Sequence, residues 1–600
     1  MSALRRSPAA ALPSALPLAP AIPIVVTLVA NAGTRWYPVS DLAQAEMRMQ
    51  AFWSHPPLIG AAGRIGPLFR QGAHPGPAAW WFAEPVYRVF GRTSFAFLVA
   101  TGVLSIVWLA VAIRLTRRRA GNVAAAALTA LILAFMRVWG AEVFVHPWNP
   151  WLGLTAFVAF VAIVWSATEG ARFGIAASVV LGSYCVQAHA GYAVIVGALC
   201  AAACVGSAVR RWRSRRRECV IDLAAGATAG MTMWLPPVIE QLRSEYGNLR
   251  ILAEHFGSPP EAPIGVRAGA RLVAASFNVR GDWWIGDGAL PLDRRVTMGS
   301  AAFVLLWAAA IALSGRARRF DQLRLHGLLA LAALVGWGSA SRIFGTVFAY
   351  LAPWLAVLAA FTALAIGWSF ATAVGALRRR RDAVAKPTRA GTKGAIVAVA
   401  AVLAILVGVD SIAFADAPVA SDRVSLDMAA LAPQVRAHLD RSKRYLVRWS
   451  DAVSLGAYGF GMVLDLNREG YRSFGLPVFR TTLLPHNVAE PSDVDETVAI
   501  VTGPQVAEWR SLPGAVEIGA VDRRSPAQRR EVERLTEQVV EELRPIDPAL
   551  ADTVRTNYWA AIIDPRTPAP TLRRLERLRD LGLATTAFLV PPDQVPASER

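Results

Sequence analysis

Long apolar stretches recur along the chain and are separated by short clusters of arginine. A bilayer core about 30 Å thick requires roughly 20 mostly apolar residues for each helix that crosses it. About eleven stretches approach this length, near 14–33, 95–113, 122–138, 151–167, 173–189, 191–209, 220–236, 297–314, 325–340, 345–376 and 395–414. The pattern predicts a polytopic α-helical membrane protein with about eleven transmembrane helices.

The arginine clusters fall on alternate loops of this count, at 5–6, 114–119, 210–217, 316–324 and 378–381. Loops rich in lysine and arginine face the cytoplasm in most membrane proteins. We therefore expect a plasma-membrane protein with a cytoplasmic N-terminus and with the chain after about Ala415 outside. The first apolar stretch ends in Ala30-Asn31-Ala32, a peptidase-like pattern, so it is either a lasting anchor or a cleaved signal.

This topology divides the chain into a membrane domain, 1–414, and an extracytoplasmic domain, 415–600. The membrane domain has external loops at 34–94, 139–150 and 237–296. In the tail, 445–447 and 497–501 have the composition of strands, and 425–441, 454–469, 504–511 and 526–542 have that of helices. The alternation predicts a small α/β domain.

Composition excludes an ordinary soluble enzyme. Of 600 residues, 54% are hydrophobic and only 18% are charged, against about a quarter in soluble chains. The net charge of +19 arises from 62 Lys and Arg against 43 Asp and Glu. Because the basic residues lie between apolar runs, we expect them to face anionic lipid headgroups and expect no nucleic-acid partner. The four cysteines lie in or beside apolar segments, which favours packing thiols over disulfides.

The first external loop contains the strongest candidate for chemistry. It begins Ser40-Asp41-Leu42, so a carboxylate lies a few residues beyond a membrane helix. Further on it reads His74-Pro75-Gly76-Pro77-Ala78-Ala79-Trp80-Trp81, and it ends in Phe90-Gly91 before the next span. Paired tryptophans suit a helix lying in the headgroup zone. A carboxylate at this boundary meets a soluble acceptor and the phosphate of a membrane lipid at once.

This arrangement resembles the first external loop of the GT-C membrane glycosyltransferases. The lipid A aminoarabinose transferases, the protein O-mannosyltransferases and a branch of uncharacterised actinobacterial membrane proteins have similar loops. The resemblance implies a GT-C-like fold and an inverting transferase with Asp41 as general base. It also implies a polyprenyl-phosphate sugar donor and an acceptor that is an envelope glycan, lipid or protein.

The same resemblance implies that basic side chains bind the donor phosphate. Arginine suits this role because its planar fork matches phosphate oxygens. The external candidates are Arg48, Arg64, Arg88, Arg280 and Arg342, and His74 takes the position of a lysine in the lipid A transferases. For Glu46 and Arg48 an exposed helix face is the competing expectation.

Two shorter loops carry further candidates. Glu142 and His146 lie four residues apart in the second external loop, which fits substrate contact, a metal ligand pair or an interfacial cap. His189 lies in a tight turn between two spans, where it either lines the same cavity or belongs to a polar turn.

Three observations leave alternatives open. Asp41 follows a serine before a helical run, which also fits an N-cap. Leu42, and the acid-free stretch Arg70-Gln71-Gly72-Ala73 before His74, depart from the acidic residues of the relatives. We therefore assign no metal ligand, and a divalent cation stays an open question.

Two other functions compete with transfer. A transporter or flippase of a lipid-linked saccharide is disfavoured because the predicted spans carry few charges at mid-depth. A non-catalytic envelope scaffold with a degenerate transferase fold is compatible with the departures at Leu42 and Gln71.

Overall fold

The computed structural model describes residues 15–279, 296–382, 390–419 and 422–595. The basic pair at 5–6 and the phosphate-binding candidate Arg280 lie outside these residues. Eight of the described helices are long and apolar enough to cross a membrane. They are Ser94–Trp139, Asn149–Thr168, Ala190–Arg211, Arg216–Arg243, Met298–Arg316, Phe320–Ser341, Trp354–Arg378 and Val397–Ala415. Two shorter apolar helices are Leu16–Ala30 and Gly174–Ala188.

The longest helix contains two predicted spans. Gly121 has a φ of 84° and a ψ of −177°, which interrupts the helical backbone between them. Each of the eleven predicted apolar segments therefore falls on an apolar helix, which confirms a polytopic helical membrane protein. The number of crossings stays a prediction.

One predicted boundary is wrong. The segment 345–376 was expected to be helical throughout, but its helix begins only at Trp354. Pro353 precedes that residue, and a proline is tolerated at the start of a helix but not in its interior. Residues before it form a loop with one 3-10 turn, Ala349–Leu351. This loop carries an aromatic residue to the candidate site.

The helix Asn149–Thr168 is central to the membrane part. Phe157, Phe160 and Trp165 on it are each no more than 1% exposed. Its first turn follows Trp148, so the best-packed helix fixes the position of that tryptophan. The loops that the sequence predicts to be external contain short helices, at Ser40–Gln50, Ala78–Val89, Glu142–Val145, Asn248–Gly257 and Gly265–Ser276.

The C-terminal part is an α/β domain, as predicted. Its five strands are β1 (Arg444–Ser450), β2 (Arg472–Phe474), β3 (Glu496–Thr502), β4 (Val516–Val521) and β5 (Thr585–Val590). The strand order is β2-β1-β3-β5-β4. β1 pairs in parallel with β2 and β3, whereas β5 runs antiparallel to β3 and β4.

Four of the helices described in this domain match the four predicted ones to within about five residues at each end, and the helices Arg480–Leu483, Pro548–Thr553, Tyr558–Ile562 and Ala569–Leu581 were not predicted. The four that match are Arg423–Arg436, Ala457–Arg468, Val506–Arg510 and Pro526–Leu543. The predicted strands lie within β1 and β3. The sequence reading missed β2, β4 and β5. For β4 the reason is its exposure. Only Ile518 is buried there, so this strand has no alternating pattern of apolar residues.

The short helix Ser40–Gln50 joins the two parts of the molecule. Ala43 and Met47 lie in the hydrophobic core of the C-terminal domain. Ala45 and Met49, from the opposite side, lie in the core of the membrane part. Because both faces are buried, the orientation of this helix is fixed by both parts at once.

Candidate functional site

Asp41 lies in the first turn of the helix Ser40–Gln50 but does not cap it. The N-cap residue is Val39, and no side chain makes a capping hydrogen bond there. Instead, Trp148 Nε1 donates to Asp41 Oδ2 at 2.9 Å, and Gln44 Nε2 lies 3.4 Å from Asp41 Oδ1. Residue 40 has a φ of 50°, a conformation rare outside glycine. The carboxylate is thus held by a tryptophan from the loop that precedes the helix Asn149–Thr168.

Burial raises the pKa of the Asp41 carboxyl above its ordinary value of 3.8. The hydrogen bond from Trp148 and the charge of Arg48 oppose this effect but do not cancel it. A carboxylate with a raised pKa is a better proton acceptor than an exposed aspartate. Asp41 therefore has the properties of a general base.

Two aromatic rings form the wall beside this carboxylate. The Trp148 ring lies 5.2 Å from that of Tyr350, at an angle of 67°. The charge of Asp41 raises the pKa of Tyr350, after the larger effect of burial, and the charge of Arg64 lowers it. Trp148 and Tyr350 thus lie on one side of the Asp41 carboxylate, and the charge of Arg64 acts on the same phenol.

Among the phosphate-binding candidates that the structure describes, Arg64 has a guanidinium without a hydrogen bond, ion pair or ring contact, whereas Arg48, Arg88 and Arg342 each have one. Arg64 is exposed. It belongs to a small hairpin, 60–74, closed by Gly60 N to His74 O at 3.0 Å and His74 N to Ala61 O at 2.8 Å. The hairpin places Arg64 in its first arm, between Gly63 and Ile65, which both bond to Gly72, and His74 at its base.

His74 and His189, both predicted site candidates, lie next to each other in the structure, and both side chains are buried. Their ring centroids are 4.7 Å apart. Ala190 N–H donates to His74 Nδ1 at 3.1 Å, and Gly191 N–H donates to His189 Nδ1 at 3.3 Å. Burial lowers the pKa of both, that of His189 to about 4. Both rings are therefore neutral near pH 7 and supply no positive charge to a phosphate.

Glu142 and His146 do not act as a pair. Glu142 is exposed and has no partner among the described side chains. His146 is buried, its Nε2 bonds to Val419 O, and its ring stacks on Trp36 at 5.7 Å. His146 thus joins the second loop to the segment that follows the last apolar helix.

The remaining arginines contact protein rather than open space. The Arg48 guanidinium is buried and donates to Thr481 O at 2.5 Å, Thr482 O at 3.2 Å and Gln44 O at 3.0 Å. Arg88 lies over the Trp53 ring at 5.1 Å, and Arg342 donates to Phe256 O at 3.4 Å. The expectation of an exposed face for Glu46 and Arg48 is wrong, since both are at most 2% exposed. They face the C-terminal domain, which the helical pattern alone does not reveal.

The donors around Asp41 do not fit a divalent cation. Its neighbours are an indole N–H, an amide N–H and a guanidinium, which repel or cannot ligate a metal. No three His, Cys, Asp or Glu side chains converge as metal ligands anywhere in the described part of the chain. We derive no step that uses a metal.

The fold is similar to that of a membrane protein of known structure, ArnT. Two crystal structures of ArnT from Cupriavidus metallidurans share it. The form bound to undecaprenyl phosphate has a TM-score of 0.52 at 15% identity, covering 84% of this chain and 95% of that chain. The apo form has a TM-score of 0.50 at 13% identity with the same coverage. The resemblance inferred from the first loop is thus confirmed for the fold.

A more distant likeness extends over more of the chain. The oligosaccharyltransferase of Archaeoglobus fulgidus, in a complex with Zn and sulfate, has a TM-score of 0.41 at 11% identity. It covers 95% of this chain and 88% of that chain. No protein-family model and no curated protein matches the sequence.

Proposed function

We propose that this protein is an inverting glycosyltransferase that moves a sugar from a polyprenyl-phosphate donor to a cell-envelope acceptor on the outer face of the membrane. The observation that carries the proposal is the placement of a basic carboxylate, Asp41, and a free cation, Arg64, beside one phenol at the ends of apolar helices. The crystal structure of ArnT bound to undecaprenyl phosphate supports a lipid-linked donor.

The two groups have complementary tasks. Asp41 accepts the proton of an acceptor hydroxyl while that oxygen attacks C1 of the sugar, and the bond from C1 to the phosphate oxygen breaks. The electron pair of that bond leaves with the polyprenyl phosphate, so no acid is needed. A positioned general base contributes about 10²–10⁴-fold to such a step. Attack opposite the leaving group inverts C1.

Arg64 meets the charge of the phosphate. Its guanidinium is exposed and unpaired, and charge-assisted bonds from arginine to phosphate are often bidentate. We assign the phosphate to Arg64 rather than to Arg48, because the Arg48 guanidinium already bonds to three main-chain carbonyls.

Topology completes the proposal. The chain has a cytoplasmic N-terminus, a membrane domain over 1–414 and an extracytoplasmic domain over 415–600. The acceptor is a glycan, a lipid or a protein of the envelope. The donor phosphate lies at the headgroup level, where the exposed Trp81 belongs to the first turn of the helix Ala78–Val89.

Deleting the protein in its source organism tests the proposed function. We expect one polyprenyl-phosphate sugar to accumulate and one sugar to disappear from the envelope, both measured by mass spectrometry. The mass of the lipid-linked species identifies the donor. Unchanged lipid-linked sugars would favour the scaffold, and accumulation confined to the inner leaflet would favour the transporter.

Replacing Arg64 by methionine weakens donor binding. Hydrogen bonds to charged groups contribute about 1.5–3 kcal/mol, so we expect KM for the donor to rise roughly tenfold to hundredfold. The assay uses the lipid-linked sugar that accumulates in the deletion strain. The same substitution at Arg88, which lies over Trp53, leaves this KM within about twofold. Equal effects of the two substitutions would contradict the assignment.

A further inference from the structure

One segment of the C-terminal domain contacts two separate parts of the candidate site. This segment, 480–487, consists of the short helix Arg480–Leu483 and the 3-10 turn Pro485–Asn487. It follows β2 and packs against the helix Ser40–Gln50 and against the hairpin 60–74. Thr481 and Thr482 make the contacts to both.

The first contact reaches the helix that carries Asp41. Arg48 lies seven residues after Asp41, which is close to two helical turns and places both on one side of the helix. Its buried guanidinium donates to the main-chain oxygens of Thr481 at 2.5 Å and Thr482 at 3.2 Å. The last carbonyls of a helix have no partner within it. Arg48 supplies that partner and ties the Asp41 helix to segment 480–487.

The second contact reaches the hairpin that carries Arg64. Thr481 Oγ1 donates to Gln71 O at 2.8 Å, and Thr482 Oγ1 donates to Gln71 Oε1 at 2.9 Å. The side-chain Nε2 of Gln71 donates in turn to Gly63 O at 3.0 Å. Gly63 directly precedes Arg64, so this chain of bonds ends in the arm of the hairpin that carries Arg64.

The backbone of the segment is strained at the same place. Leu484 has a φ of 77° and a ψ of 150°, a region that is occupied almost exclusively by glycine. Such a conformation persists only where its surroundings determine it, and strained residues cluster at functional sites. The contacts on both sides of segment 480–487 provide these surroundings.

We propose that segment 480–487 sets the distance between Asp41 and Arg64, with Arg48, Gln71 and Thr482 as positioning residues. This proposal rests on the proposed function, in which the base and the phosphate-binding cation act on one donor. The C-terminal domain thereby completes the catalytic geometry of the membrane part. A misplacement of about 1 Å between reacting groups can cost roughly 10²-fold in rate.

The test compares three substitutions of buried threonines. Thr482→Val keeps the size of the side chain and the carbonyl that Arg48 uses, but removes the bond to Gln71. Thr482→Ser restores the hydroxyl. Thr571→Val is the matched control, because Thr571 is equally buried in the same domain and donates to Glu542 Oε2 at 2.7 Å, away from the segment.

We expect kcat per folded molecule to fall about tenfold or more in Thr482→Val, with the donor KM within about threefold of wild type. Thr482→Ser recovers most of the loss, and Thr571→Val has wild-type kcat. Gln71→Met breaks the same chain of hydrogen bonds from the hairpin side. It replaces Thr482→Val as the test variant if Thr482→Val does not fold.

Two results would contradict the role proposed for segment 480–487 and would leave the proposed function intact. Wild-type kcat in both folded variants, while Asp41→Asn is inactive, shows that the segment does not position the site. Equal losses in Thr482→Val and Thr571→Val show a general loss of stability. An inactive wild-type protein instead contradicts the proposed function itself.

Discussion

We expect that replacing Asp41 by asparagine strongly lowers the rate of the proposed sugar transfer and leaves the protein folded in the membrane. Asparagine keeps the shape of the side chain and accepts the Trp148 hydrogen bond through its amide oxygen, but it cannot accept a proton from a hydroxyl. A positioned base contributes about 10²–10⁴-fold, so kcat falls by that factor. In cells the variant matches the deletion, because the lipid-linked sugar accumulates to the same level.

The control for this prediction is Glu245→Gln, a carboxylate-to-amide change at an exposed residue of an external loop. It keeps wild-type transfer. Immunoblots of membrane fractions show that all variants reach equal levels. A deletion phenotype that is absent in Asp41→Asn would remove Asp41 from the chemistry and would favour transport or scaffolding.

The pH dependence of the rate follows from the position of Asp41. Burial raises the pKa of its carboxyl above the ordinary value of 3.8. Because the base acts only when it is deprotonated, the rate rises with pH through this raised pKa and is lost below it. The profile of kcat/KM therefore has an acidic limb at higher pH than an exposed aspartate would give. A limb at or below the ordinary value would contradict the burial of the carboxylate.

The membrane fold and the catalytic candidate are both local features of the sequence. Each span is a continuous apolar run, and arginine clusters mark the loops between spans, so composition is enough to place them. Asp41 is recognised from its position after the first apolar stretch together with the resemblance of the first external loop to that of the GT-C transferases. Neither inference requires a contact between distant residues.

The partners of the site residues are not local. Trp148 is 107 positions from Asp41, and Thr481 is 433 positions from Arg48. No periodicity in one segment reports such a pair. The position of Trp148 does carry a weak signal, since it lies two residues after His146 in the predicted second loop and is followed by the N-terminal Asn149-Pro150 of a span.

The helix Ser40–Gln50 is where the structure differs most from the expectation, because the helix is buried rather than exposed. Its sequence, Ser-Asp-Leu-Ala-Gln-Ala-Glu-Met-Arg-Met-Gln, has polar residues on several sides, which is typical of an exposed helix. In the structure two partners cover it, and the polar residues Glu46 and Arg48 bond to the C-terminal domain. The pattern of polar residues within this one segment gives no sign that the C-terminal domain covers it.

Breaking the ion pair between Glu46 and Arg468 is expected to have the second largest effect. Glu46 is fully buried, and its carboxylate bonds to the Arg468 guanidinium and to Tyr87 Oη at 3.3 Å. Arg468 also donates to Ser94 Oγ at 2.6 Å. The pair thus joins the Asp41 helix, the C-terminal domain and the first long apolar helix.

Arg468→Met leaves the Glu46 charge buried without its counter-charge. Removing one partner of a buried ion pair costs about 3–5 kcal/mol, so the detergent-solubilised variant unfolds at a clearly lower temperature than wild type. The double variant Glu46→Gln with Arg468→Met removes both charges and recovers most of that loss. A single variant as stable as wild type would show that the pair is not structural. Exposed Arg510→Met, which breaks a pair with Glu517 at the surface, changes the unfolding temperature little.

We expect the loss of stability in Arg468→Met to depend on pH, and the direction of this pH dependence identifies Glu46 as the cause. Burial raises the pKa of Glu46 above its ordinary value of 4.5 even with Arg468 present, and removing that cation raises it further. A group with a raised folded pKa binds its proton more tightly in the folded protein, so the cost of the buried charge appears only as pH rises through that pKa. At pH near 4.5 the carboxyl is protonated in the folded variant, and the gap to wild type narrows. In the double variant, which lacks the carboxyl, the gap to wild type shows no such narrowing. A deficit in Arg468→Met that stays constant with pH would assign the loss to packing of the arginine side chain instead.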